Sequence, residues 1–275
     1  MIVQGALQHD AAVSLLLEAR ELYRSAQNVR GEAWALTWLG RDASFRAPGS
    51  AEARALLEEA LSRYRESDVP ASTSACLTQL AQVALDAEDD DLARRRAEEA
   101  VQLGRSTHIG QSVGEGLRVL ALVDSRAGDF DSADRRLAEV IAIHEAAGDR
   151  HMLLTAHAIA AELAASAGDV ARAASHLATG LELACEVPSS DRALILIQSA
   201  AYVAYMDGRR DDAAVLFGAR LGPSGLAFPT RFRPIVEALE KQGLREQIAA
   251  GANLSVDEAL ERAIKAIGPR PSAPA

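Results

Sequence analysis

Apolar residues recur at intervals of three and four along most of the chain, in runs of similar length separated by short polar turns. Leu117, Leu120, Ala121 and Val123 form one stripe, and Ala133, Leu137, Val140 and Ile141 form another, on either side of Gly128 and Asp129. That spacing predicts two amphipathic helices. Glycine can take the left-handed conformation that closes the first helix, and aspartate offers the side-chain oxygen that caps the second. Gly168 and Asp169 repeat the device. The segments ESDVPAST, HIGQSVG and EVPSSD carry Pro, Gly, Ser and Asp and read as loops. Each unit is therefore predicted to be a helix–turn–helix hairpin whose apolar faces need a neighbouring hairpin for burial.

The hairpins repeat. Ala53, Ala93, Ala133, Ala173 and Ala213 are spaced by 40 residues, and Ala97, Leu137, Leu177 and Phe217 share the period. Leu103, Ile143 and Leu183 do so as well. Small residues recur at Ala81, Ala121, Ala161 and Ala201, and Gly128, Gly168 and Gly208 mark one turn in three successive copies. A repeat of this length built from two helices predicts an all-α chain in which each hairpin packs on the next.

The pattern resembles the tetratricopeptide repeat family. The likeness rests on a large residue followed by a small one in the first helix (Leu39-Gly40, Leu80-Ala81, Leu120-Ala121), with an Ala thirteen positions after the large residue (Leu80 to Ala93, Leu120 to Ala133). Family repeats have 34 residues against 40 here, and the extra residues fall in loops or at helix ends. The resemblance implies a right-handed α-solenoid of stacked helix-turn-helix hairpins with a C-terminal helical cap. The array is expected over residues 1–219, beginning with a half repeat at 11–26 followed by about five hairpins. A chain that opens mid-repeat suggests either excision from a longer parent or a short capping segment.

Beyond residue 219 the register ends. Residues 220–268 are expected to form capping helices, one over 231–248 with Pro234 in its first turn and a second opened by a capping box of Ser255 and Glu258. The Pro-rich tail, 269–275, is expected to be disordered. The stretches DDAAVLFGARLGPSG, FPTRFRPIVEALEKQGL and AGANLSVDEALERAI are similar to the closing segment of helical-repeat regions in large actinobacterial regulators of the LuxR-type and MalT-like ATPase class. In those regulators a nucleotide-binding domain precedes the repeats and a DNA-binding helix-turn-helix lies at one end. The resemblance implies a sensor or interaction module of a transcriptional regulator. With no G-x-x-x-x-G-K-[ST] loop in the sequence and too short a tail for a DNA-binding domain, it implies neither ATPase activity nor DNA binding here.

Composition sharpens this. Of 275 residues 49% are apolar but only 4% aromatic, which suits closely approaching helices rather than β-sandwiches. A formal net charge of −10 argues against an extensive nucleic-acid surface, since phosphate contacts need clustered Lys and Arg. No membrane span or secretory signal is visible. Cys76 and Cys185 read as free thiols rather than a disulfide framework, so a cytoplasmic setting is expected.

In stacked tetratricopeptide hairpins the first helices line a concave groove. Projected onto this chain, that rule gives Trp34, Thr37, Arg41 and Ser44, then Thr78, Gln82, Arg118 and Ser125, then Glu162, and finally Gln198, Tyr202 and Tyr205. The expected occupant is a protein or peptide segment or a small-molecule effector. Two alternatives stay open: an enzyme with a site assembled across copies (Glu162 with His157, Tyr202 and Tyr205), and self-association into a homodimer. Trp34 and Trp38 serve either as partner anchors or as a wedge holding the first repeat. No nucleophile elbow or motif-spaced carboxylate pair points to a catalytic residue, and no cofactor is implied.

Other features read structurally. His144, His151, His157 and His176 lack the H-x-x-x-H spacing of a helical metal site and are expected at the surface or in loops. Glu88, Asp89, Asp90 and Asp91 are expected to cap a helix, and Gly110, Gly114 and Gly116 to loosen the start of one. Arg220, Arg231 and Arg233 form the most basic local patch, either a partner contact or an ordinary solvated surface.

Overall fold

The computed structural model describes residues 2–186, 190–221 and 232–267, with side chains over 11–184, 193–221 and 232–266. The loop expected at 186–191, residues 222–230 of the closing segment, the side chains of Cys185 and Arg231, and the tail 269–275 therefore fall wholly or partly outside the described residues. Within them the chain is all helical, with fourteen helices and no strand. The hairpins pair α2 (Val29–Arg46) with α3 (Ala51–Glu66), α4 (Pro70–Asp86) with α5 (Asp90–Ser106), α8 (Arg150–Ser166) with α9 (Val170–Glu186), and α10 (Ser190–Met206) with α11 (Arg210–Leu221), while α6 (Gly110–Arg126) and α7 (Phe130–Ala147) follow one another along the chain. Before them runs α1 (Ile2–Ser25) and after them α12 (Arg233–Lys241), α13 (Arg245–Ala252) and α14 (Val256–Ile267). The residues divide into two compact units, Met1–Val123 and Asp124–Ala275.

The 40-residue register is a register of burial. Ala53, Ala93, Ala133, Ala173 and Ala213 are all fully buried, as are Ala97, Leu177 and Phe217 at the following shared position. Alanine at the first position lets the paired helices approach closely. In the first unit, Leu36, Leu57, Leu61, Leu77 and Leu80 fill the space between hairpins.

Turns recur at half that period. Asp68, Glu88, His108, Gly128, Gly148, Gly168 and Gly208 all have positive φ. Each closes one helix before the next begins, and an aspartate often follows: Asp89, Asp129 and Asp149 accept from Leu92 N, Ser132 N and Met152 N. Asp89 also accepts from Arg54 at 2.7 Å, and that guanidinium, with the Leu92 amide, holds its carboxyl below the ordinary range. The acidic run is thus a helix start, as expected. Since a non-glycine residue in the left-handed region costs roughly 1 kcal/mol, Glu88→Gly should stabilise the protein by about that amount in urea unfolding. Gly128→Ala should cost a similar amount, because a Cβ there meets nothing within 4 Å and the penalty is conformational alone. A neutral result for both would remove this account of the turns.

Ion pairs join second helices of consecutive hairpins: Arg20 with Glu59 at 2.8 Å, Arg96 with Glu58 at 2.9 Å, Arg65 with Glu99, and Arg172 with Asp134. All are partly exposed, so each contributes at most about 1 kcal/mol.

Three expectations change. The half repeat expected at 11–26 begins earlier, because residues 2–10 continue the same helix, Ile2–Ser25. The helix expected over 231–248 is broken in two, because Gly243 takes φ 89° and ends α12 before α13 starts. Gly116 does not loosen α6: a Cβ there would lie 2.7 Å from Val101 Cγ2 and 3.0 Å from Ala97 O, so its bareness lets α5 and α6 touch. The capping box forms as read, with Ser255 N donating to Glu258 Oε2 at 2.8 Å and Glu258 N donating to Ser255 Oγ at 3.3 Å.

In the second unit α13 packs along α11, and α14 lies against α10. Phe232, Leu239, Ala259, Ala263 and Ala266 enter the same core as Leu196, Leu216 and Phe217. The capping helices therefore complete that core.

Candidate binding surface

The residues projected onto a groove fall into three local environments, two in the first unit and one in the second. On α2, Trp34 and Trp38 stand one turn apart with ring centroids 6.2 Å apart in an edge-on arrangement. They are 47% and 42% exposed, too open to act as wedges. The Arg41 guanidinium lies 4.5 Å from the Trp38 ring centroid, and Phe45 extends the same helix face with 51% exposure. Leu15, Leu17 and Leu22 on α1 are exposed too. Large apolar side chains in water are thus concentrated on the first two helices of this unit, and such a concentration marks an interaction surface. Thr37 sits differently: its hydroxyl donates to the Ala33 carbonyl at 2.8 Å and lies 3.4 Å from the Tyr64 hydroxyl, inside the hairpin. The Tyr64 hydroxyl is raised in pKa, chiefly by burial.

Gln82 and Arg118 form the second environment. Arg118 Nη2 donates to Gln82 Oε1 at 2.9 Å and its Nε donates to Glu115 Oε2 at 3.0 Å, while Gln82 Nε2 donates to Asp86 Oδ1 at 2.9 Å. The guanidinium already has two acceptors and ties α4 to α6, so a ligand would have to displace an existing contact.

The third environment, on α8 and α10, is closed. Glu162 is 6% exposed and accepts from Ser199 Oγ at 2.6 Å. Ser166 donates to the Glu162 carbonyl at 2.8 Å, which leaves the Tyr202 hydroxyl as donor in its 2.9 Å contact with Ser166 Oγ. Gln198 is 5% exposed beside them. The Tyr202 ring is 5.5 Å from Phe232, and Tyr205 is covered by the Arg210 guanidinium at 3.9 Å. Phe232 escaped the sequence reading because it lies beyond the repeat register. Glu162 meets Ser199 on α10, and His157 meets His176 on α9.

Three further corrections concern single residues. His144 is 3% exposed and His157 8%, so these histidines are interior rather than surface or loop positions. Arg220 is 5% exposed, which takes it out of the proposed basic patch; Arg233 is exposed. Cys76 is a free thiol, as expected, and fully buried; burial pushes it up to about 12, which leaves it unreactive near neutral pH.

His157 and His176 bring Nδ1 atoms within 3.1 Å. Both have lowered pKa values, from burial first, then from the His176 ring for His157 and from Arg172 for His176. Glu145 and Asp134 oppose these shifts. A histidine whose folded pKa lies below its ordinary 6.5 contributes stability above that pH and loses it as pH falls, because the unfolded chain binds the proton first. Unfolding free energy should therefore decline between about pH 6.5 and pH 5. The double variant H157Q/H176Q should flatten that part of the profile; an unchanged slope would assign it to other groups.

The fold defines an all-α protein built of consecutive helical hairpins in a 40-residue register. Among solved structures the chain is similar to BtubC (BKLC) from P. vanneervenii, with 18% identity, a TM-score of 0.57, and coverage of 98% of this chain and 95% of that one. It is also similar to a Rap protein solved in complex with competence and sporulation factor, at 14% identity and TM-score 0.63, over 84% of this chain and 65% of that chain. A third likeness is to aspartyl phosphate phosphatase F from Bacillus subtilis, at 12% identity and TM-score 0.63, over 92% and 70%. At these identities the likeness establishes the fold. No family model and no curated protein matches the sequence. Among the described residues no helix is long and apolar enough to cross a membrane.

Proposed function

We propose that this chain is a non-catalytic interaction module that docks a protein or peptide segment on the exposed aromatic face of α2. The observation that carries the reading is the pair Trp34 and Trp38, stacked edge-on and solvent-facing, with Arg41 alongside. Rigid aromatic side chains supply contact area at low entropic cost, and Trp and Arg dominate binding energy where partners meet. The Rap structure in complex with competence and sporulation factor is support by analogy, since it puts a protein of similar fold in a bound state. Membership in a transcriptional regulator is the finer reading, supported by the closing-segment resemblance.

Trp34 and Trp38 are the only two tryptophans, so fluorescence reports this face directly. Peptides selected from a random library on the full chain should shift tryptophan emission to shorter wavelength on binding. Binders that leave the emission untouched would place the docking surface elsewhere.

A further inference from the structure

The hairpin of α8 and α9 holds an arrangement that the interaction reading does not use. His157 and His176, nineteen residues apart, turn their Nδ1 atoms toward each other at 3.1 Å, with ring centroids 5.3 Å apart. From this geometry we infer a binding site for a divalent late-transition-metal ion of the Zn2+ or Cu2+ class, held by Nδ1 of both rings.

The separation fits. With metal–nitrogen bonds of 2.0–2.1 Å, two imidazoles subtending a tetrahedral angle place their nitrogens about 3.3 Å apart, and a right angle places them about 2.9 Å apart. The observed distance lies between the two. The rings are also in the ligating protonation state: desolvation keeps both toward neutral, and neutral imidazole is the form that binds metal. In the metal-free pair one Nδ1 carries the proton and the other accepts it. For both to ligate, the donor ring's proton moves through solvent to its own Nε2. That tautomer shift releases no net proton at neutral pH.

Charge around the pair is mixed. Glu145 acts favourably on His157 and Asp134 on His176, while Arg172 acts against His176; Arg172 is itself paired with Asp134 and Asp169. Among the described residues no cluster of three or more His, Cys, Asp or Glu side chains could hold a metal ion. Two imidazoles are one protein ligand fewer than the three of a catalytic zinc centre, so solvent would have to fill the remaining positions. Bound metal would cross-link α8 to α9 within one hairpin, so occupancy should raise thermal stability.

The experiment titrates the metal-free full chain with ZnCl2 in competition with a chromophoric chelator, near neutral pH. One ion per chain is expected, with H157Q and H176Q each lowering affinity at least tenfold. H108Q/H151Q, which removes two exposed histidines outside the pair, should leave affinity unchanged. Should H157Q fail to fold, H176Q and the Zn2+-dependent rise in Tm of the unaltered chain decide the matter. Binding kept within twofold by H176Q, binding abolished by H108Q/H151Q, or no one-to-one binding at all would overturn the assignment.

Discussion

Gly251→Ala is expected to destabilise the protein by about 3 kcal/mol, the upper end of what overpacking ordinarily costs. A Cβ at residue 251 would lie 1.9 Å from the Val215 carbonyl oxygen and 3.0 Å from Ala219 N, and one at Gly218 would lie 2.0 Å from the Ile248 oxygen. These neighbours are backbone atoms of helices and cannot swing aside as a side-chain tip can. The only relief is to separate α13 from α11, which opens the core that both help to close. Gly218→Ala should have an effect of the same size. The double variant should cost less than the sum, because one separation relieves both clashes. Denaturant unfolding of the three variants checks this, and losses below about 1 kcal/mol would mean that the two helices do not meet backbone to backbone.

Phe217→Ala should cost roughly 3–5 kcal/mol, as expected for deleting a fully buried aromatic ring. Phe217 is fully buried, and its ring centroid lies 5.8 Å from that of Phe232. It stands at the repeat position held elsewhere by Ala97, Leu137 and Leu177. The larger side chain at this last copy reaches Phe232, which lies just before α12, and so joins the array to its cap. Amide exchange in α12 should accelerate in Phe217→Ala more than in Phe217→Leu, which retains most of the volume. Equal exchange in the two would show that the cap stands without this contact.

The helices and their pairing were legible because one chemical pattern recurs. An Ala every 40 residues fixes where two helices touch, and a turn every 20 residues fixes where each ends. Even Asp68, Glu88 and His108, which carry no glycine signal, take the same left-handed turn as Gly128, so periodicity outweighed local preference. The cap was partly legible. Ser255 and Glu258 announce α14 locally, whereas the break at Gly243 competes with the helix-forming residues around it.

The candidate surface was readable only as an inventory of helix faces. Trp34, Trp38 and Arg41 share a face by spacing alone, yet spacing does not separate an exposed polar residue from one engaged between helices. Arg118, Gln82 and Glu162 met the spacing rule, and each is held by a partner from a neighbouring helix. The His157–His176 pair lies beyond any local motif, since nineteen residues and a turn separate two rings that hairpin geometry alone brings together.

The interaction reading stands or falls on the α2 face. A selected peptide titrated calorimetrically into the unaltered chain and into W34A/W38A gives the most direct test. Removing two central aromatic anchors should weaken binding by at least roughly 30-fold, corresponding to about 2 kcal/mol, while far-ultraviolet circular dichroism stays unchanged. Equal affinity for both proteins would contradict docking on the exposed tryptophans of α2.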